Sequence, residues 1–111
     1  MVFDKDGTTT TIVDQENISL AKFLENLNNA YDKIKNDNII VNLFSFSALT
    51  SSDVLEFLDL SNTHRASNKS FVLVTNKVSY DDVPEEISVV PTLKEARDII
   101  EMEEIERDLG I

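Results

Sequence analysis

Two stretches of this chain are apolar almost without interruption, and each has the length of a β-strand. Ile39-Ile40-Val41 followed by Leu43 and Phe44 forms the first, broken only by Asn42, and Phe71-Val72-Leu73-Val74-Thr75 forms the second. Short apolar runs rich in β-branched residues read as strands covered on both faces, so both belong in the middle of a sheet. Elsewhere the apolar residues recur at spacings of three and four. Leu20, Phe23, Leu24, Leu27, Ala30, Tyr31 and Ile34 predict a helix over residues 19–35. Val54, Leu55, Phe57, Leu58 and Leu60 predict the inward face of a helix over 51–66, and Leu93, Ala96, Ile99 and Ile100 that of a helix over 92–102.

Polar residues punctuate the pattern. Asp6-Gly7 is a hairpin turn signal between Val2-Phe3-Asp4 and the threonine-rich run from Thr8 to Val13, which predicts an edge hairpin with one wet face. Asn36-Asp37-Asn38 tolerates left-handed backbone and is expected to end the first helix; Asn68-Lys69 is expected to end the second. Thr50 with Asp53, and Thr92 with Glu95, have the spacing of a capping box. Residues 76–86 read as a polar loop with one helical turn, Ile87 to Val90 as a short last strand, and Gly110 as the stop of a helix reaching toward Leu109.

This order of elements predicts an α/β fold. It is a mixed sheet of four or five strands, with parallel pairing around the two apolar strands and the three helices mainly on one face. With 111 residues the chain suits one domain that buries a real core without staples. We divide it into a domain over residues 1–102 and a helical extension over 103–111.

Composition narrows the function classes. The chain has no cysteine, which excludes disulfides, thiolate metal sites and cysteine nucleophiles. Its 21 acidic residues against 10 basic ones give a net charge of −11, a balance that repels phosphate backbones and anionic lipid. Neither nucleic acid nor membrane insertion is expected, and with no leader-like start the expectation is a soluble, cytoplasmic protein. With only Gly7 and Gly110 there is no phosphate-binding loop or dinucleotide fingerprint, and no cofactor is expected. Asp81, Asp82, Glu85 and Glu86 lack the alternation and glycine of a calcium loop. His64 has no partner at metal-ligand spacing and reads as a surface or helix-end histidine. The run Glu101, Glu103, Glu104 and Glu106 reads as a solvated helix face.

The segments Asn38 to Phe46, Leu49-Thr50-Ser51-Ser52, the helix to Ala66, Ser70 to Asn76 and Pro91-Thr92-Leu93-Lys94-Glu95-Ala96 together resemble the STAS family. That family includes anti-sigma factor antagonists and the cytoplasmic tails of sulfate transporters. The resemblance covers roughly residues 8 to 102. It implies a regulatory, non-catalytic bacterial module that binds a protein partner through the loop and helix start at Ser47, Leu49, Thr50, Ser51, Ser52 and Asp53. The family's phospho-acceptor serine falls on Ser52 and the serine before it on Ser51. Thr50 stands where the family has Asp, and Asp53 where it has Gly. Asp53 supplies at that turn the negative charge that phosphorylation would add.

Two further readings stay open. Ile105-Glu106-Arg107-Asp108-Leu109-Gly110 looks like the close of small bacterial proteins sometimes labelled ribonuclease Z, an enzyme with a histidine- and aspartate-rich dizinc site that one histidine cannot supply. That resemblance implies an accessory subunit docking on an RNA-processing enzyme through its acidic C-terminal helix. The other reading is a small domain that holds an anion or ligand at a helix N-terminus. In the tail, Met102, Ile105, Leu109 and Ile111 extend the apolar series beyond what a sheet-capping helix needs. They are expected either to fold back on the domain or to dock a second copy, as in a homodimer, or another protein.

Overall fold

A computed structural model describes residues 1–110, with Tyr80 described by its backbone alone, so Ile111 of the expected tail surface lies outside the described residues. The elements in chain order are β1 (Val2–Asp6), β2 (Thr10–Asp14), α1 (Leu20–Ile34), β3 (Asn38–Asn42), α2 (Ser51–Leu55), α3 (Leu58–Ala66), β4 (Phe71–Val74), β5 (Ser88–Val90) and α4 (Leu93–Asp108). A single turn of 3₁₀ helix, Tyr80–Asp82, lies between β4 and β5. The five strands form one mixed sheet in the order β1-β2-β3-β4-β5, antiparallel between β1 and β2 and parallel thereafter. The two apolar strands lie inside it, as their composition requires.

Alternation along the strands sorts the core into two layers. Val13, Ile39, Val41, Phe71, Leu73 and Val89 point to one face and meet Phe23, Leu27 and Ile34 of α1, Val54 of α2 and Phe57. Ile40, Val72 and Val74 point to the other face and meet Ala96 and Ile100 of α4. The expectation that helices lie mainly on one face holds for α1, α2 and α3 and does not hold for α4. The reason is the order of the strands. From β2 to β5 each new parallel strand is added on the same side of the last, so right-handed crossovers place every connection on one face. Only α4, which follows the last strand, is free to cover the other.

Several local expectations are corrected. The hairpin turn takes three residues, Gly7 to Thr9, between Asp6 and its partner Thr10, with Gly7 at φ 73°. Ser19 caps α1 by accepting from the Lys22 N–H, but Asn36 to Asn38 have no left-handed residue; that conformation falls at Asn68, after α3, and at Asn17. The expected helix over 51–66 is broken at Glu56 and Phe57 into α2 and α3. The buried stripe runs through Val54, Phe57, Ser61 and His64, leaving Leu55 42% exposed and Leu58 and Leu60 half-buried. The strand expected to reach Phe44 ends at Asn42, and Phe44 is 44% exposed. At the end of the chain α4 runs unbroken through residues 102 and 103. Its inward stripe of Leu93, Ala96, Ile99 and Ile100 is as expected, and Gly110 follows with φ 71°.

The shifted stripe is open to measurement. Phe57→Ala empties a fully buried site and is expected to cost about 3–5 kcal/mol in urea unfolding. Leu55→Ala, two residues away and outward, is expected to stay within about 0.5 kcal/mol of the parent. Equal losses would place Leu55 in the core beside Phe57.

Candidate functional site

The loop from β3 to α2 lies at the carboxyl edge of the parallel strands, where α/β sheets present ligands and partners. It is pinned along its length. The Leu43 N–H donates to the Val74 carbonyl at 2.9 Å, continuing the ladder one residue beyond the strand. The Asn42 Oδ1 accepts from the Phe44 N–H at 3.1 Å, and the Ser45 hydroxyl donates to the Gln15 carbonyl at 2.9 Å, tying the loop to the one after β2. Phe46 packs edge-on against Phe23, with ring centroids 5.5 Å apart, and Leu49 is buried. With these anchors turned in, Phe44, Ser45, Ser47, Ala48 and Thr50 are turned out.

The helix start is the complete capping box that its spacing predicts. The Thr50 Oγ1 accepts from the Asp53 N–H at 3.2 Å, and the Asp53 Oδ2 accepts from the Thr50 N–H at 3.0 Å. Of the expected site residues, Ser47, Thr50 and Ser52 are exposed, Ser51 and Asp53 are half-buried, and Leu49 is structural. Phe44 and Leu55, 44% and 42% exposed, stand on either side of these hydroxyls in the chain. Neither Ser51 nor Ser52 is hydrogen-bonded to a base, and the carboxylate already sits on the first turn of a helix of only five residues. At the same edge of the sheet, a shallow cleft of about 290 Å³ opens between the segments after β4 and β5, lined by Thr75 to Ser79 and by Val89 to Pro91.

The opposite edge of the sheet holds a polar network that sequence reasoning missed. His64, expected at the surface, is fully buried. Its Nε2 lies 2.8 Å from the Asp37 carbonyl, which can only accept, so Nε2 carries the proton. Nδ1 then accepts from the Tyr31 hydroxyl at 2.8 Å, and the two rings meet edge-on. The Asp37 carboxylate accepts from Lys5 at 2.6 Å and Thr11 at 2.7 Å, and these two hydrogen bonds hold its pKa below the usual carboxylate range. Burial pushes the His64 pKa down, against the favourable contact with the Asp37 carbonyl, and burial pushes that of Tyr31 up.

Next to this triad, Asn38, the first residue of β3, and Ser70, just before β4, sit at matched positions. The Asn38 Oδ1 accepts from the Ser70 N–H at 2.8 Å and its Nδ2 donates to Glu104 at 3.2 Å. The Ser70 hydroxyl donates to Glu103 at 2.5 Å, and Arg107 donates to both Ser70 and Asn38. Glu103 and Glu104 are therefore not part of a solvated face, as their run suggested, but half-buried anchors. The one available signal was position: a polar residue directly ahead of each apolar strand. Among the described residues no group of three His, Asp or Glu side chains stands close enough to hold a metal ion. No helix there is long and apolar enough to cross a membrane.

Neither a protein-family model nor a curated protein matches the chain.

His64 gives the network a pH dependence. Its folded pKa lies below its ordinary value of about 6.5, so the unfolded chain takes up the proton first as pH falls. Stability is expected to be flat above about pH 6.5 and to decline as pH falls from there toward the lower folded pKa. Asp37, also lowered, adds a second loss at more acidic pH, below its ordinary value near 3.8. Tyr31→Phe removes the donor to Nδ1 and is expected to cost about 1–3 kcal/mol at neutral pH. Urea titrations at pH 5, 6 and 7.5, matched to His64→Gln, measure the first decline; an unchanged slope in that variant assigns it elsewhere.

Proposed function

We propose that this chain is a non-catalytic, STAS-like regulatory module that binds a protein partner through the loop and helix start at residues 47–53. One observation carries the reading: a rigidly pinned loop at the carboxyl edge of the sheet turns an aromatic side chain and several hydroxyls outward. Phe44, 44% exposed, has no role in the core, whereas its neighbours Leu43, Phe46 and Leu49 anchor the loop. An aromatic group beside small polar ones on a stiff support suits a protein contact, because little ordering entropy remains to be lost on binding. The residue-by-residue resemblance to the STAS family supplies the class of partner, a regulatory protein of the anti-sigma type, and a cytoplasmic setting.

Within this reading Ser52 is an inefficient phosphate acceptor. Asp53 already accepts at the helix start, and a phosphoryl group next to it meets a like charge. The same carboxylate counts against an anion-binding domain at this turn. The reading as an accessory subunit of an RNA-processing enzyme has a different observation in its favour: Met102, Ile105 and Leu109 lie outward on α4.

Two measurements test the proposal. Affinity capture from the source cell followed by mass spectrometry is expected to recover a regulatory protein with the parent chain and to lose it with Phe44→Ser, while the melting temperature stays nearly unchanged. Retention of the same partner by Phe44→Ser and by Ser47→Lys excludes this surface. Incubation with a STAS-family kinase is expected to leave the intact mass unmodified at Ser52 and to give measurable phosphorylation in Asp53→Gly. Near-complete phosphorylation of the parent at Ser52 overturns the role given to Asp53.

A further inference from the structure

The last turns of α4 are apolar on the side where a helix on a sheet is ordinarily polar. Met102, Ile105 and Leu109 are 64%, 53% and 68% exposed, and their spacing of three and four places them in one outward line. The inward side of the same turns is charged: Glu103 and Arg107 reach Ser70, Glu104 reaches Asn38, and Glu103 lies 3.7 Å from Arg65. These contacts fix the rotation of the helix. The apolar line can turn inward only by withdrawing Glu103, Glu104 and Arg107 from the partners that satisfy them at the sheet edge. Folding back on the domain, one of the two expected fates of the tail, is thereby realised by its polar side chains and not by its apolar ones.

We propose that this outward line is a docking ridge for a basic amphipathic helix of a partner protein. The flanks of the ridge choose the partner. Glu101, Glu106 and Asp108 are exposed, and among the described residues no ion pair reaches them. Arg107, the one cation within these turns, is drawn inward to Ser70 and Asn38. A second copy of this chain would set carboxylate rows against each other on top of a net charge of −11 on each molecule, and an anionic membrane would be repelled for the same reason. A helix with an apolar stripe bordered by Lys and Arg matches both the ridge and its rim. The helix is held rigid before binding, so the contact orders only side chains. This surface lies across the sheet from α2 and is independent of the loop at residues 47–53.

The test uses the full chain and a synthetic leucine–lysine peptide of about five helical turns as the probe. In ¹H–¹⁵N titrations the shifts are expected to centre on residues 101–109. The double variant Ile105→Gln, Leu109→Gln is expected to weaken binding about tenfold or more with the melting temperature unchanged, and Glu101→Lys with Glu106→Lys to weaken it and remove its salt dependence. Shifts spread over the acidic surface, with affinity unaltered in the apolar double variant, overturn the ridge and leave only non-specific charge attraction. Self-association of the free chain in sedimentation, abolished by the same variant, overturns the choice of partner in favour of a second copy. Binding to phosphatidylglycerol vesicles through these residues overturns it in favour of a membrane.

Discussion

The pairing of β3 with β4 is the contact on which the other elements depend. Ile39, Ile40 and Val41 lie in register with Phe71, Val72 and Leu73, and every one of these six side chains is buried. Strands apolar on both faces cannot rest against water on either, so the pair requires two covering layers. One layer comes without further instruction, because each right-handed crossover lays its connecting segment on the same side. The second layer has to come from a segment outside the crossovers, and α4 supplies it. The shape of Ala96, small enough for close approach, and Ile100 seated among Ile40, Val72 and Val74 are the local terms of that arrangement.

The two ends of the parallel strands then take different work. At the amino edge, buried polar groups satisfy one another: Asn38 with Ser70 and Glu104, His64 with Tyr31 and Asp37. Such a network stiffens and orients, since each member left unpaired would carry a desolvation cost. At the carboxyl edge the loops carry outward groups on a pinned backbone. The amino edge is thus closed by mutual hydrogen bonds, whereas the carboxyl edge keeps Phe44, Ser47 and Thr50 toward solvent.

Much of this architecture was legible from the residues, because the signals were local. The apolar runs at 39–44 and 71–75 name inner strands, Thr50 with Asp53 names a helix start, and Asp6-Gly7 names a hairpin. What escaped was set by partners distant in the chain. Nothing beside His64 reveals that Asp37 and Tyr31 will enclose it, about thirty residues earlier. The turn at Glu56 and Phe57 has no signal in the spacing, since Val54, Phe57, Ser61 and His64 would share one face of an unbroken helix as well. The acidic run of α4 reads as a wet face until Ser70 and Asn38 are placed beneath it. The position of α4 across the sheet has no signal within α4 itself: it follows from the bare apolar face that Ile40, Val72 and Val74 leave once the crossovers fill the other. For the loop at 47–53 the hydroxyls and Asp53 were readable in advance, whereas the outward turn of Phe44 was hidden because strand periodicity assigned it to the core.

The placement of α4 has a consequence for the biosynthesis of the molecule. Residues 1–90 contain the whole sheet and every crossover, so one complete layer of the core can assemble on a nascent chain. The other side, with Ile40, Val72 and Val74 bare, stays an adhesive apolar plane until α4 has emerged from the ribosome and closed over it. Adding the roughly twenty residues that include α4 takes about 1–4 s at 5–20 residues per second, a window in which chaperones and neighbouring chains compete for that plane. Closure of α4 is thus the step that hides the stickiest face of the sheet, as Ala96 and Ile100 cover Ile40, Val72 and Val74.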